Sequence, residues 1–271
     1  MIKLIAIDMD GTLLDSQKKL PQENIDAIQE AVATGLKIVI CTGRSQAGVK
    51  PYFDQLGLHE EEYVILNNGC SLHETINWST LYGQALSHSD LLGLQSYVDD
   101  NLEVDMVLTT NGDYYFVGEK ASDIAQADAD SVFTTLKPIG KEAISTIEEP
   151  VYNAMYVGKP EAIDDFQNQH EETIVKCYTG VRSQDFLYEV LPQHFNKAAG
   201  LAELAKRLEL DSSQIMTIGD GNNDIEMLDF SGLAVAMDNA SDVVKAHADK
   251  ITLTNDQAGV AYAIREFVLK A

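Results

Sequence analysis

Short apolar runs rich in isoleucine and valine recur along the chain. They cover residues 2–7, 36–41, 63–66, 215–218 and 233–236, with a shorter run near 251–253. Runs that are apolar at nearly every position are typical of strands buried on both faces, as in a parallel sheet. We therefore predict that these segments form the strands of one parallel α/β sheet.

Helical patterns precede two of these runs. Residues 21–35 begin with Pro21, carry apolar side chains three or four positions apart, and end with Gly35. Proline suits the first turn of a helix and glycine suits its end. Residues 197–218 repeat the scheme of a helix that leads into a strand. The sequence therefore predicts βαβ units at both ends of the chain.

The middle of the chain has a different pattern. Residues 103–117 contain two β-rich runs around Asn111-Gly112, which is the strongest short turn signal and predicts a hairpin. Further segments are strand-like at 151–157 and 185–191 and helical around 160–170. We predict an α/β domain inserted at residues 83–192, which leaves residues 1–82 and 193–271 for the parallel-sheet core. Within the insertion, the Ala- and Asp-rich residues 121–130 are expected to form a solvated helix or loop.

Charge and composition limit the classes of partner that the protein is expected to bind. The chain has 19 Lys plus Arg against 43 Asp plus Glu, a net charge of −24. So acidic a protein repels polyanions, which argues against nucleic acid and anionic membranes as partners. The chain has no long apolar run and no signal-peptide core, and its three cysteines are scattered, which predicts free thiols in a cytoplasmic protein. The sequence does not predict the oligomeric state.

Polar residues follow the ends of the predicted strands. They are Asp8-Met9-Asp10-Gly11-Thr12, Thr42-Gly43-Arg44 and the segment from Gly219 to Asp224, with Lys197 at the start of a helix. In parallel sheets, ligands bind beyond the carboxyl ends of the strands. Clustered carboxylates would repel one another unless a cation lay among them. Oxygen ligands without nearby cysteine or histidine favour Mg²⁺.

These residues predict phosphoryl transfer to a carboxylate. Asp8 is the expected nucleophile and would form an aspartyl-phosphate. Asp10 would protonate the leaving oxygen and then activate water. Thr42 and Lys197 would bind phosphoryl oxygens, and Asp220 would be a further metal ligand. The expected substrate is a small phosphorylated metabolite, either a sugar phosphate or a phosphorylated cofactor.

The same segments, in the same order, resemble the motifs of the haloacid-dehalogenase-like hydrolases, and most closely the Cof-type sugar-phosphate phosphatases. The resemblance covers the whole chain and implies a Rossmann-like core with an inserted class IIB α/β cap domain. It implies that the metal ligands are the side chains of Asp8 and Asp220 and the backbone carbonyl of Asp10. Asp224 would support these ligands or replace one. In relatives the lysine is commonly followed by glycine, whereas Ala198 stands here.

The resemblance also implies a set of phosphate contacts. They are the backbone of Met9 and Asp10, then Thr42, Gly43, Lys197 and Asn223. Arg44 could contact the phosphate or pair with an acid on a helix, and both alternatives stay open. Asn67-Asn68-Gly69 could line the crevice, although a plain turn is the preferred interpretation.

Two other interpretations of residues 219–224 are disfavoured, and two other functions stay open. Residues 220–224 resemble the start of an EF-hand loop, but Ile225 replaces the required glycine and Ser231 the bidentate glutamate. A dinucleotide-binding turn is disfavoured because Asp220 would repel a pyrophosphate. Two alternatives stay open, a phosphomutase and a catalytically silent phosphate-binding module.

Overall fold

The computed structural model describes residues 1–98 and 103–270. It divides into two compact units, one made of Met1–Gly43, Pro51–Tyr82 and Asn196–Ala271, and the other of Arg44–Lys50 and Gly83–Phe195. Residues 44–50 thus belong to the second unit, although the sequence pattern predicts them within the parallel-sheet core. The assignment of residues 83–192 as a cap domain stays a prediction, and residues 99–102 and 271 lie outside the described residues.

The strands and helices are numbered in chain order. The strands are β1 (Leu4–Asp8), β2 (Lys37–Cys41), β3 (Tyr63–Leu66), β4 (Ser71–Glu74), β5 (Thr80–Gly83), β6 (Val104–Thr109), β7 (Tyr114–Val117), β8 (Leu136–Ile139), β9 (Asn153–Gly158), β10 (Tyr178–Gln184), β11 (Leu187–Pro192), β12 (Ile215–Gly219), β13 (Leu233–Ala236) and β14 (Lys250–Ile251). The α-helices are α1 (Gln22–Ala33), α2 (Gln46–Phe53), α3 (His88–Gln95), α4 (Asp123–Ser131), α5 (Pro160–Ile174), α6 (Lys197–Arg207), α7 (Ile225–Phe230), α8 (Asp242–Lys245) and α9 (Gly259–Ile264).

The first unit contains an eight-stranded sheet in the order β14-β13-β12-β1-β2-β3-β4-β5. The strands from β14 to β3 are parallel, and β4 runs antiparallel to β3. The central strand β1 therefore has parallel neighbours on both sides. This arrangement confirms the predicted parallel α/β sheet.

Both faces of β1 are buried, which explains its continuous apolar run. Leu4 and Ala6 pack in one cluster with Leu201 and Leu204 of α6. The intervening Ile5 is fully buried as well. Because successive side chains of a strand point to opposite faces, a strand covered on both sides is apolar at nearly every position, and β1 is apolar until Asp8 at its end.

The second unit contains a six-stranded sheet in the order β10-β11-β9-β6-β7-β8. Its pairs are antiparallel except for the parallel pair of β7 and β8. The predicted hairpin is confirmed, because β6 and β7 pair antiparallel on either side of Asn111-Gly112. The predicted α/β fold class is confirmed for both units.

The structure refines two local expectations. The segment 121–130 forms a largely solvated helix as expected, but α4 also buries Ala125 and Ala129 in an apolar cluster with residues of β6, β7 and β9. Small side chains let this face of the helix approach the sheet closely. The run near 251–253 pairs over Lys250–Ile251 alone, since it forms the exposed edge of the sheet.

Candidate active site

The carboxyl ends of three neighbouring strands meet at one edge of the first unit's sheet. Asp8 ends β1 and is in register with Cys41 at the end of β2, directly before Thr42. On the other side of β1, β12 ends at Gly219, directly before Asp220. The fold therefore brings three segments that are far apart in sequence to one edge of the sheet.

Lys197 lies at the centre of the side chains that meet at this edge of the sheet. It is the first residue of α6 and is almost completely buried, with 1% of its surface exposed. Its Nζ donates to Oδ1 of Asp8 at 2.5 Å and to Oδ1 of Asp224 at 2.6 Å. Burial alone would lower the pKa of Lys197, but Asp224 and Asp8 raise it above its ordinary value. The lysine is therefore held as a buried cation between two carboxylates.

The helix that carries Lys197 begins normally despite Ala198. Asn196 precedes the helix, and its side chain accepts a hydrogen bond from the backbone N–H of Ala199 at 2.9 Å. A side-chain oxygen at this position satisfies one of the free N–H groups of the first turn. The departure from the family pattern at Ala198 therefore leaves the lysine at the start of a regular helix.

Three carboxylates crowd around this lysine. One oxygen of each of Asp8, Asp220 and Asp224 lies within 4.8 Å of the others. Burial, followed by the charge of Asp224, raises the pKa of Asp8 well above its ordinary value, although Lys197 acts in the opposite direction. Burial also raises the pKa of Asp220 to about 6, although the hydrogen bond from Thr12 lowers it. One lysine does not offset this concentration of negative charge, so the site suits a hard cation bound by oxygen ligands.

Asp220 is held in place by side chains from two other segments. The Thr12 hydroxyl donates to its Oδ1 at 2.6 Å, and Asn239 Nδ2 lies 3.4 Å from its Oδ2. The same Nδ2 group donates to the carbonyl of Gly11 at 2.9 Å. Asn239 was not identified from the sequence, because only the folded chain brings it to this turn.

Asp224 stabilises the turn that follows β12. Its Oδ2 accepts hydrogen bonds from the backbone N–H groups of Asp220, at 3.0 Å, and Gly221, at 2.9 Å. Its Oδ1 accepts from Lys197, and the residue is fully buried. Asp224 therefore orients both the lysine and the Asp220 backbone.

The turn after β1 explains the need for glycine at position 11. Gly11 has φ of +84°, and a β-carbon there would collide with the Asp220 carboxylate. The backbone of this turn closes through the N–H of Leu13 on the Asp8 carbonyl and that of Leu14 on the Met9 carbonyl. Gly11 thus allows the turn to lie directly against the predicted metal ligand.

Asp10 has a partner that the sequence did not reveal. Its Oδ1 accepts a hydrogen bond from Lys18 Nζ at 2.7 Å, and 28% of its side chain is exposed. The Lys18 backbone has φ of +57°, and its carbonyl accepts from the hydroxyl of Tyr52 at 2.9 Å. A lysine in a polar turn carries no sequence signal that separates it from an ordinary surface lysine.

The predicted phosphate contacts Thr42, Gly43 and Asn223 all lie in the first unit and share one neighbour. The Thr42 carbonyl accepts from the N–H of Asn68, and the Asn223 amide donates to Asn68 Oδ1. Arg44 belongs to the second unit, where its guanidinium donates to the Gly48 carbonyl at 3.2 Å. A phosphate contact by Arg44 stays a prediction.

Comparison with known proteins identifies the family. The family of haloacid dehalogenase-like hydrolases matches residues 5–264. The chain belongs to this family. The resemblance in the sequence motifs is therefore confirmed, and so is the prediction of a phosphatase enzyme.

Two relatives and one solved structure show the extent of the similarity. A presumed phosphatase of Bacillus subtilis, YxeH, is 35% identical over 99% of both chains. The 5-amino-6-(5-phospho-D-ribitylamino)uracil phosphatase YwtE of the same organism is 30% identical over 98% of both. A haloacid dehalogenase-like hydrolase from Bacteroides thetaiotaomicron has a TM-score of 0.89 and 26% identity, with 98% of this chain and 100% of that chain covered.

The structure also bears on membrane contact. No helix within residues 1–98 and 103–270 has both the length and the apolar character needed to cross a bilayer.

Proposed function

We propose that the enzyme hydrolyses a small phosphomonoester, with Mg²⁺ as cofactor, through an aspartyl-phosphate on Asp8. The observation that carries the proposal is the buried contact of Lys197 with Asp8 and Asp224 inside a cluster of three carboxylates. The lysine favours the ionised form of Asp8, which is the form that can attack phosphorus.

The first step makes one bond and breaks another. A carboxylate oxygen of Asp8 forms a bond to phosphorus, and the bond from phosphorus to the ester oxygen breaks. Asp10 gives a proton to the departing oxygen. Lys197, Thr42, Gly43 and Asn223, with the Met9 and Asp10 backbone, bind the phosphoryl oxygens. The product of this step is an alcohol and phosphorylated Asp8.

The second step restores the enzyme. Asp10, now ionised, takes a proton from water, whose oxygen attacks phosphorus and releases the Asp8 carboxylate and inorganic phosphate. The contact of Lys18 with Asp10 holds the Asp10 carboxylate in one orientation for this second step. One side chain thus serves first as acid and then as base.

The metal site would be formed by Asp8, Asp220 and the Asp10 backbone carbonyl, with Asp224 in support or as an alternate ligand. When bound, Mg²⁺ supplies positive charge that reduces the repulsion between an anionic nucleophile and an anionic ester. The chemistry of the donors fits, since the cluster offers only oxygen atoms.

The substrate class is a sugar phosphate or a phosphorylated cofactor. The support comes from YwtE, which is named for a substrate that carries a phosphorylated ribityl chain. We also place the enzyme in the cytoplasm, in agreement with the free Cys41, Cys70 and Cys177.

The test is a phosphate-release assay on a panel of metabolite phosphates, with an aryl phosphate as a general substrate. Asp8→Asn should lower turnover by at least about 10³-fold, because an amide is not a nucleophile. Asp26→Asn, on the exposed face of α1, is the matched control and should leave turnover unchanged. Full activity of Asp8→Asn would refute the assignment of the nucleophile. Conversion of a hexose 1-phosphate to the 6-phosphate without release of inorganic phosphate would instead show a phosphomutase.

A further inference from the structure

Three consecutive residues after β3 have a left-handed backbone. Asn67 has φ of +52°, Asn68 of +51° and Gly69 of +97°, and all three are buried. Left-handed conformations are costly for residues with a side chain, and asparagine is among the few that tolerate them. Such a run persists only where surrounding contacts hold it in place. The contacts of this segment therefore indicate what its conformation serves.

Asn68 contacts both segments that carry Thr42, Gly43 and Asn223. Its backbone N–H donates to the Thr42 carbonyl at 3.0 Å. Its side-chain Oδ1 accepts a hydrogen bond from Asn223 Nδ2 at 3.1 Å. A β-carbon on Gly43 would lie only 3.0–3.3 Å from the Asn68 amide group, so the glycine backbone packs directly on that side chain. Asn68 thus joins the turn after β2 to the turn after β12.

Gly69 extends the connection to the start of α6. A β-carbon at Gly69 would collide with the carbonyl of Asn196 and lie 3.1 Å from the backbone nitrogen of Lys197. The close approach requires glycine, and it places this segment against the residue that caps the lysine's helix. The segment 67–69 therefore contacts the elements that carry four of the predicted phosphate contacts, namely Thr42, Gly43, Lys197 and Asn223.

Asn67 has nearly the same backbone conformation but different contacts. Its Nδ2 donates to Ser71 Oγ at 3.0 Å. Its Oδ1 has no hydrogen-bond partner among the residues that the structure describes. Asn67 therefore shares the backbone conformation and the burial of Asn68, but its side-chain amide donates to Ser71 and not to the segments that carry the phosphate contacts. It provides a matched control.

We propose that Asn68 is a positioning residue of the phosphate site. Its amide fixes Asn223 and the Gly43 backbone relative to each other before the substrate arrives, so the site does not have to order these groups on binding. The inference rests on the proposed function and adds to it a residue that acts through Asn223 and Gly43. Asn68 itself need not touch the substrate.

The experiment compares Asn68→Gly with Asn67→Gly. Glycine accepts a left-handed backbone at both positions, so each variant loses a side chain without added backbone strain. Asn68→Gly should raise KM for an aryl phosphate and the inhibition constant of inorganic phosphate by about 10-fold, the effect of one lost hydrogen bond. Asn67→Gly should change both constants by less than about 3-fold. Melting temperatures of the two variants should be similar.

A double-variant cycle with Asn223→Ala separates positioning from general damage. If Asn68 acts through Asn223, adding Asn68→Gly to Asn223→Ala should weaken phosphate binding by clearly less than 10-fold. Effects that multiply in full would overturn the proposal, and so would equal behaviour of Asn68→Gly and Asn67→Gly.

An NMR measurement that does not depend on catalysis separates the positioning role of Asn68 from the proposed function. The NMR signal of the Asn223 side-chain amide should shift in Asn68→Gly and stay in place in Asn67→Gly. Wild-type enzyme that released no phosphate from any substrate would refute the proposed function. An Asn223 signal that did not respond to Asn68→Gly would refute the positioning role independently.

Discussion

Glu62 is expected to make the stability of the first unit depend on pH. This glutamate precedes β3 and is fully buried. Its Oε2 accepts a hydrogen bond from the backbone N–H of Ile38 at 2.7 Å, and its Oε1 lies 3.6 Å from Lys37 Nζ. Burial raises the pKa of Glu62 from 4.5 to about 7, although the Ile38 N–H and Lys37 lower it. The folded protein therefore keeps a proton that the unfolded chain has already lost.

The sign and size of the effect follow from linkage. Between pH 4.5 and 7 the folded state binds more protons than the unfolded state, so the free energy of unfolding falls as pH rises through this range. Below pH 4.5 both states are protonated and no penalty exists. At about 1.4 kcal/mol per pKa unit, the shift corresponds to a penalty of about 3 kcal/mol above pH 7.

Glu62→Gln removes this penalty. Glutamine has the same shape and can still accept from the Ile38 N–H, but it never carries the buried charge. We expect the variant to be about 2–3 kcal/mol more stable than the wild type at pH 8 and about equal at pH 4.5. The assay is urea unfolding across this pH range, followed by the fluorescence of the single tryptophan, Trp78, which lies in the same unit. Glu60→Gln, exposed and two positions away, should shift stability by less than about 0.5 kcal/mol.

A constant difference between Glu62→Gln and the wild type at all pH values would refute this reasoning. It would mean that Glu62 stays ionised in the fold and that Lys37 offsets the cost of its burial.

Three further predictions concern the active site and the packing of α1. Removal of divalent metal with EDTA should abolish phosphate release, and addition of Mg²⁺ should restore it. Mg²⁺ should also raise the melting temperature of the wild type. It should not raise the melting temperature of Asp220→Asn, because that variant lacks one of the clustered carboxylates. Lys197→Met should abolish activity and destabilise the protein by about 3–5 kcal/mol, because it leaves buried carboxylates without their cation. The loss should be larger at pH 8 than at pH 5, because burial raises the pKa of Asp8 and protonation of Asp8 removes its uncompensated charge. Equal losses at both pH values would contradict this. Asn24→Ala should cost about 2–3 kcal/mol in urea unfolding, since it leaves the Leu13 carbonyl and the Ala261 N–H without their partner, whereas Gln22→Ala on the exposed side should cost little.

The sequence predicted the parallel sheet well because burial on both faces leaves a simple pattern. Every position of β1 and β12 is buried, so these strands are apolar at nearly every position, with Asp8 at the end of β1 and Thr217 within β12 as the polar residues. Strands with weaker burial were missed. β10 is half-buried along most of its length and contains Thr179, Arg182 and Ser183, so neither alternation nor an apolar run marks it. Its position in the sheet follows from pairing with β11, which only the folded chain reveals.

The sequence could indicate candidate site residues where they directly follow a strand or open a helix. Asp8, Thr42 and Asp220 stand at such positions, and the topology of a parallel sheet brings them together. Asn239 and Lys18 were missed for a physical reason. Asn239 reaches Gly11 across 228 positions of sequence, and the Lys18 contact depends on the path of a single turn. Neither contact leaves a local pattern of spacing or polarity.

Asn68 shows how a correct local interpretation can miss a functional consequence. Asn67-Asn68-Gly69 does form a turn, as the preferred interpretation stated, and the residue types suit its left-handed backbone. A plain turn, however, would be expected on the surface with its amides in water, whereas these residues are buried and bonded to distant segments. Burial of polar groups in a strained backbone is unfavourable unless other contacts require it. The same reasoning applies to Asp8, Asp220 and Asp224, whose crowding opposes folding in the absence of a cation. The strained segment 67–69 and the crowded carboxylates both lower the stability of the fold, and both lie where the proposed chemistry needs preorganised groups. This pattern is expected where residues are selected for function and not for stability.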